Sequence, residues 1–261
     1  MGEITLKDLL EAGVHFGHQT KRWNPKMKPF IFMEKNGIHI IDLQKTMETA
    51  QRASDAIRKA SEKGKDILFL GTKPQAKNAI KEEATRSGMP YVTERWLGGT
   101  LTNFNTIRKS LDKLEHLEKI ETDGRIDQFS KKEALKMAKQ KEKLLRALGG
   151  VRTMSSLPAL LFVVDTKKEI NAVREARKLK IPIVGMIDTN ADPGDVDFPI
   201  PSNDDAMRAI NLFCRMVADS CLEGKAKFLE GKEVVDPSAD AATAPPQTKP
   251  EPDNKGKENA A

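Results

Sequence analysis

The sequence predicts a doubly wound α/β protein: a parallel sheet flanked by helices, with a pair of antiparallel helices inserted into it. Two observations carry the prediction. Runs at 66–71, 159–165 and 183–188, apolar except for one terminal aspartate each, alternate with amphipathic helical segments. A run apolar on both faces suits a strand covered on both sides, and strands separated by helices imply right-handed crossovers in a parallel sheet. Between Thr102 and Leu148 the alternation breaks, and apolar residues recur every three or four positions in strongly charged chain. From about Val235 the chain is mostly Ala, Pro, Lys, Asp, Asn and Thr without period, a composition that cannot bury enough apolar surface to order itself. The expected organisation is an α/β domain at 1–101 and 149–228, a coiled-coil-like helical hairpin at 102–148 and a disordered tail at 229–261.

In chain order, residues 5–12 read as a short helix capped by Thr5, with Leu6, Leu9 and Leu10 as its apolar stripe. Residues 13–29 combine two glycines, two prolines and scattered cations without period, and read as an extended basic surface loop. Apolar runs at 30–32 and 38–41 flank Asn36-Gly37, a strong hairpin signal. His39 alternates with isoleucines and reads as a satisfied strand histidine. Asp42 precedes a helix to about Lys63 with Leu43, Met47, Ala50, Ala53 and Ile57 on one face. After the strand at 66–71, Pro74 opens a helix that ends near Gly88, and 90–92 is a short strand.

The stretch 95–104, RWLGGTLTNF, is an elbow before the insertion. Its adjacent glycines permit a sharp turn, and Thr100, Thr102 and Asn103 are placed to cap the helix that follows. Arg95 and Trp96 are suited to a phosphate and a base; the other reading makes Trp96 core and the glycines a hinge. In the insertion, Ile107, Leu111, Leu114 and Leu117 face inward on one helix. Ser130 and Glu133 form a capping box, and Leu135, Ala138, Leu145 and Leu148 face inward on the second helix. After the strand at 159–165 come a helix at 168–179, a strand at 183–188 and a proline-containing edge strand at 198–200. Residues 202–205 cap a final helix to about Gly224 with Ala206, Ile210, Phe213, Val217 and Cys221 inward.

Lys and Arg number 44 against 38 Asp and Glu, a net charge of +6 that favours an anionic partner. No apolar run approaches the ~20 residues of a membrane span, and the N-terminus carries an acid and no apolar core, unlike a signal peptide. Cys214 and Cys221 lie seven apart on one helix, ~10 Å along its axis, which is too far for a disulfide. They read as reduced thiols of a cytoplasmic protein.

Catalytic chemistry is weakly indicated. Gly71-Thr72-Lys73 ends a strand before a helix, where N–H groups can hold a phosphate, but its spacing matches no nucleotide fingerprint. Asp165, Asp188, Asp192, Asp195, Asp204 and Asp205 lie at or beyond strand ends; such aspartates can bind Mg²⁺ but more often cap helices and shape turns. His15 and His18 lack a local cysteine or carboxylate to complete a zinc site. The residues favour an RNA-binding structural protein over the rival, a Rossmann-like enzyme taking a nucleotide or sugar phosphate at the strand C-termini. No catalytic residue, metal or cofactor is expected. Cations that take phosphates and rings that stack on unpaired bases mark three groups of RNA-contact candidates: Lys21, Arg22, Trp23, Asn24, Lys26 and Lys28 in the loop; Arg95, Trp96, Thr100 and Asn103 in the elbow; and Arg108, Lys109, Lys113, Lys131, Lys132, Lys136 and Lys139 on the insertion.

Four motifs sharpen this. His15-Phe16-Gly17-His18 with Trp23-Asn24-Pro25-Lys26-Met27, the elbow RWLGGTLTN, Ile187-Asp188-Thr189-Asn190-Ala191-Asp192-Pro193, and Pro201-Ser202-Asn203-Asp204-Asp205-Ala206 occur in the order found in the bacterial small-subunit ribosomal protein S-two family. The chain resembles that family over about residues 2–228. The resemblance implies a flavodoxin-like, Rossmann-like sheet with a helical-hairpin insertion, no catalytic activity and no cofactor. It also implies binding to 16S ribosomal RNA where head meets body, help in docking ribosomal protein S-one, and neighbouring small-subunit proteins as partners. The expected location is cytoplasmic and ribosome-bound, with no membrane and no small-molecule substrate.

Overall fold

Thr5 opens the described chain, residues 4–233 of a computed structural model, with a capping box. Its Oγ1 accepts from the Asp8 N–H at 3.2 Å while the Asp8 carboxylate accepts from the Thr5 N–H at 3.0 Å, at the start of α1 (Leu6–Glu11). Only Leu9 of the expected stripe is buried; Leu6 and Leu10 face solvent. Residues 13–29 are not the extended loop that their composition predicts. They form β1 (Phe16–Gln19) and two 3-10 turns, Thr20–Arg22 and Pro25–Phe30. β2 (Ile31–Lys35) and β3 (Ile38–Ile41) make the hairpin, with Asn36 at φ 53° and Gly37 at φ 74°, as a two-residue primed turn requires. The three strands form an antiparallel sheet in the order β1-β3-β2. Pairing with β3 organises the short β1, and Met27 is fully buried against Ile187 and Ala191. Long-range partners of this kind leave no local period. His39 is buried, but neither ring nitrogen has a hydrogen-bond partner among the described residues. It packs as a flat ring 5.1 Å from Trp23, not as the satisfied histidine expected.

The remaining elements are α2 (Leu43–Ser61), β4 (Ile67–Leu70), α3 (Pro74–Ser87), β5 (Tyr91–Val92), α4 (Phe104–Thr122), α5 (Lys131–Leu148), β6 (Leu160–Val164), α6 (Ile170–Lys178), β7 (Ile183–Ile187), β8 (Phe198–Pro201) and α7 (Met207–Glu233). Five strands form one parallel sheet, β5-β4-β6-β7-β8, with proline-containing β8 at the edge as expected. β4, β6 and β7 are buried along their whole length. Phe69 and Phe162 meet edge-on at 5.5 Å on the face covered by Ile57, Ile80 and Phe213. Leu68, Leu70, Leu161 and Val163 pack the other face against Trp96, Ile107, Leu111 and Val173. The strand order reverses between β4 and β6, the position where open α/β sheets bind ligands at the strand C-termini.

Two helix expectations are corrected. α7 continues past Gly224 to Glu233, so the first residues of the expected tail, 229–233, are helical; 234–261 lie outside the described residues. Gly224 serves close approach instead of a helix stop: a Cβ there would come within 2.6 Å of the Arg58 carbonyl where α2 and α7 cross. On α4 the expected Ile107, Leu111, Leu114 and Leu117 are buried, joined by Ile120. On α5, Leu135, Ala138 and Leu145 are exposed, and Ala138 and Leu145 line an open groove with Leu117 and Ile120 of α4. The face turned inward is Ala134, Met137, Lys141, Leu144 and Leu148, an unbroken 3-4-3-4 series. Lys141 fits that series because its stem lies along the helix pair while its ammonium reaches Glu121 of α4. Cys214 and Cys221 are fully buried free thiols, as expected; burial pushes the Cys221 thiol up to about 12 and Cys214 up as well.

Candidate nucleic-acid interface

The elbow differs from its sequence expectation. Asn103 stands at the N-cap of α4 but makes no side-chain bond to the helix backbone; its Oδ1 accepts from Thr106 Oγ1 at 2.8 Å. Thr100 is buried and donates to the Leu97 carbonyl. The donors of the elbow converge instead on Glu175 of α6. Its Oε1 accepts from Trp96 Nε1 (2.9 Å) and the Gly99 N–H (2.8 Å), and its Oε2 from the Leu101 N–H (3.0 Å) and from the N–H and hydroxyl of Thr102 (both 3.1 Å). Burial pushes the Glu175 carboxyl upward, but these donors outweigh it and hold the group below its usual range. Trp96 and Thr100 are therefore largely interior, with their polar atoms held by the protein's own acceptors. Sequence reasoning misses Glu175 because it lies more than 70 residues away on an ordinary charged helix.

The exposed cations lie outside that interior. Lys132, Lys136, Lys139, Lys143 and Arg146 are all exposed on α5 and follow one another at intervals of four and three, a single stripe ~21 Å long. The stripe ends in an open groove of about 650 Å³, where Lys139, Lys143 and Arg146, the last paired with Glu94 at 3.3 Å, face Arg95 beside Glu142. Lys109, Lys113 and Lys131 are exposed too, while the Arg108 guanidinium donates to the Met154 carbonyl at 2.9 Å. In the N-terminal module, Lys21, Arg22 and Lys28 are exposed, and Lys26 pairs with Asp192 at 2.6 Å. Asn24 is occupied structurally: its N–H donates to the Thr189 carbonyl at 2.8 Å and its Oδ1 accepts from the Lys26 N–H at 3.0 Å. Trp23 is half-buried against His39.

At the β4 and β6 ends the Thr72 corner is filled from within, beside an open pocket lined by His18, Arg22, Lys73 and Lys168. The Thr72 N–H, one of the donors that could hold a phosphate, donates to Glu169 at 3.0 Å, as does the Thr72 hydroxyl. A phosphate there would meet a buried carboxyl group. Lys73 Nζ fills the adjoining space, 2.9 Å from Asp165 and 2.8 Å from both Asp204 and Asp205. His18 reaches in from β1, with Nδ1 3.0 Å from Asp188 and Nε2 3.6 Å from Asp205. Asp204 does not cap α7, as the sequence suggests; the capping bonds come instead from Asn203 Oδ1, which accepts from the N–H groups of Asp205 and Ala206. Asp165 and Asp192 do shape turns, accepting from the N–H groups of Lys168 and Gly194. His18, Asp188 and Asp204 each offer a ligand atom within 4.8 Å of the others, a nitrogen-and-oxygen set of the kind that holds a divalent cation. His15 is not part of the set; its ring lies against Phe16.

The cluster fastens the small sheet to the large one and carries a pH dependence. The hydrogen bond to Asp188 raises the His18 pKa against the opposing effect of burial, and the nearby carboxylates add to the rise. Burial, then the charges of Asp188 and Asp165, push Asp204 up to about 7. Both groups bind protons more tightly folded than unfolded. Their contribution is full below the unfolded values and fades as pH rises, for Asp204 up to about 7 and for His18 from roughly 6.5 through its raised value. In chelator-treated protein the unfolding temperature is expected to fall between about pH 6 and pH 8.5, and the His18→Gln variant should lose part of that slope, on the order of 2–4 °C. Identical slopes for the two proteins would show that His18 does not contribute.

A Rossmann-like sheet whose Thr72 corner is filled by its own Glu169, with exposed cations along an outer helix, has the form of a structural scaffold. Comparison with known proteins agrees. The model of the family described as Ribosomal protein S2 matches residues 9–224. The chain is 58% identical over 233 residues to small ribosomal subunit protein uS2 of a Nitratiruptor species, covering 88% of this chain and 87% of that protein. It is 55% identical over 248 residues to the uS2 of Campylobacter concisus (92% and 95% covered) and 54% over 245 residues to that of Chlorobium luteolum (93% and 97% covered). The chain belongs to the ribosomal protein S2 family, structural proteins of the small ribosomal subunit and not enzymes. No helix among the described residues is long and apolar enough to cross a membrane.

Proposed function

We propose that this protein is a structural constituent of the small ribosomal subunit that binds 16S ribosomal RNA near the head–body junction and helps to dock ribosomal protein S-one, on ribosomes in the cytoplasm. The observation that carries the RNA-binding reading is the α5 stripe from Lys132 to Arg146 leading to Arg95. Cations at that spacing follow a phosphate backbone, positioning the RNA more than selecting its sequence. Within this reading, 102–148 is an inserted helical hairpin that presents the stripe, and Lys21, Arg22 and Lys28 form a second contact. The family resemblance supports the junction site and the docking of S-one.

Co-sedimentation tests the proposal. The protein is expected to remain with small subunits through a high-salt wash, and subunits depleted of it should carry less S-one. Recovery of the protein in the ribosome-free supernatant at low salt would overturn the assignment, and unchanged S-one occupancy would overturn the docking role.

A further inference from the structure

The elbow of residues 96–102 is an anion nest that the protein fills itself. The backbone N–H groups of Gly99, Leu101 and Thr102, an indole N–H and a hydroxyl surround one carboxylate at 2.8–3.1 Å, an arrangement akin to the nests that elsewhere cradle phosphate or sulfate. Glu175 is anchored beneath it, since its neighbours on α6, Ala172, Val173 and Ala176, are fully buried against the sheet. α4 begins at Phe104, two residues beyond the last donor, and has no side-chain N-cap of its own. The near end of α4 is therefore tied down by the nest, and Trp96 and Leu101 share its core cluster with Ile107 and Leu111 of α4 and Leu148 of α5.

We propose that Glu175 is the positioning residue of the RNA-binding arm: its carboxylate, held in the nest, sets the direction in which α4 and α5 leave the sheet domain and so aligns the α5 stripe with Arg95. The inference rests on the RNA-binding reading above. A stripe that must meet several phosphates at once depends on its orientation. Losing one phosphate contact at about 0.1 M salt costs roughly five- to eightfold in affinity, so an arm that swings out of line loses about tenfold without losing a single cation.

The test uses full-length wild-type protein, Glu175→Ala and Glu175→Gln, with transcribed 16S ribosomal RNA. Binding is measured in potassium chloride and in potassium acetate at equal ionic strength, and the Trp96 indole N–H is followed by nuclear magnetic resonance. In chloride, Glu175→Ala should bind about tenfold more weakly, with a shallower salt dependence and a displaced Trp96 resonance. In acetate, where a free carboxylate can enter the emptied nest, both affinity and resonance should return towards wild type measured in the same salt. Glu175→Gln keeps one acceptor oxygen and should lie between the two; it carries the test if the alanine variant does not fold. Wild-type affinity in a variant whose Trp96 resonance has moved would overturn the positioning role, as would a loss that acetate fails to restore. Failure of the wild-type protein to bind the RNA at all would overturn the RNA-binding reading instead.

Discussion

Protein carrying Lys131→Gln, Lys132→Gln and Lys136→Gln is expected to bind 16S ribosomal RNA up to about a hundredfold more weakly at about 0.1 M salt, with its salt dependence reduced by two to three contacts. All three lysines are exposed on the first turns of α5, so the substitutions remove charge without touching a packed face. The fold should survive, because Gln and Lys have similar helix propensities and the inward series of Ala134, Met137 and Leu144 is untouched. Assembly into small subunits should fall in parallel, most steeply as salt is raised. Equal subunit occupancy of variant and wild type at raised salt would remove the stripe from the interface.

Lys73→Met is expected to cost about 3 kcal/mol of folding stability near neutral pH, because it leaves Asp165 and Asp204 buried without their cation. The Lys73 side chain is only 13% exposed and that of Asp204 only 1%, so water does little to compensate. The loss should be smaller near pH 6 than near pH 8, since Asp204, already pushed up to about 7 by burial and its acidic neighbours, relieves the repulsion by taking a proton. Urea unfolding at the two pH values measures both effects. A loss that is the same at both would show that the cost comes from packing of the lysine stem, not from charge.

Much of the fold is legible from local pattern. The buried runs of β4, β6 and β7 are apolar on both faces because both faces are covered, and Asn36-Gly37 specifies its turn through backbone conformation alone. The α4 face follows from spacing. The α5 face does not, because a rule that seeks leucines passes over a series that includes Ala134, Met137 and the stem of Lys141. Residues 13–29 read as loop because β1 is short and its order comes from pairing with β3 and from bonds to Thr189. The candidate site divides in the same way. Exposed cations on a helix are visible as a period, whereas the fate of Trp96, Thr72 and Asp204 depends on Glu175, Glu169 and Lys73, partners remote in the chain.

The alternation of strand and helix, the charged face of α5 and, through its motifs, the family are all written in the linear chain. They follow from periodicity and side-chain chemistry, which act over a few residues at a time. That the elbow and the phosphate corner are satisfied by the protein's own carboxylates emerges only once the chain is folded. A buried donor takes whichever acceptor folding brings within about 3 Å, and that choice is made in space, between segments that carry no record of one another.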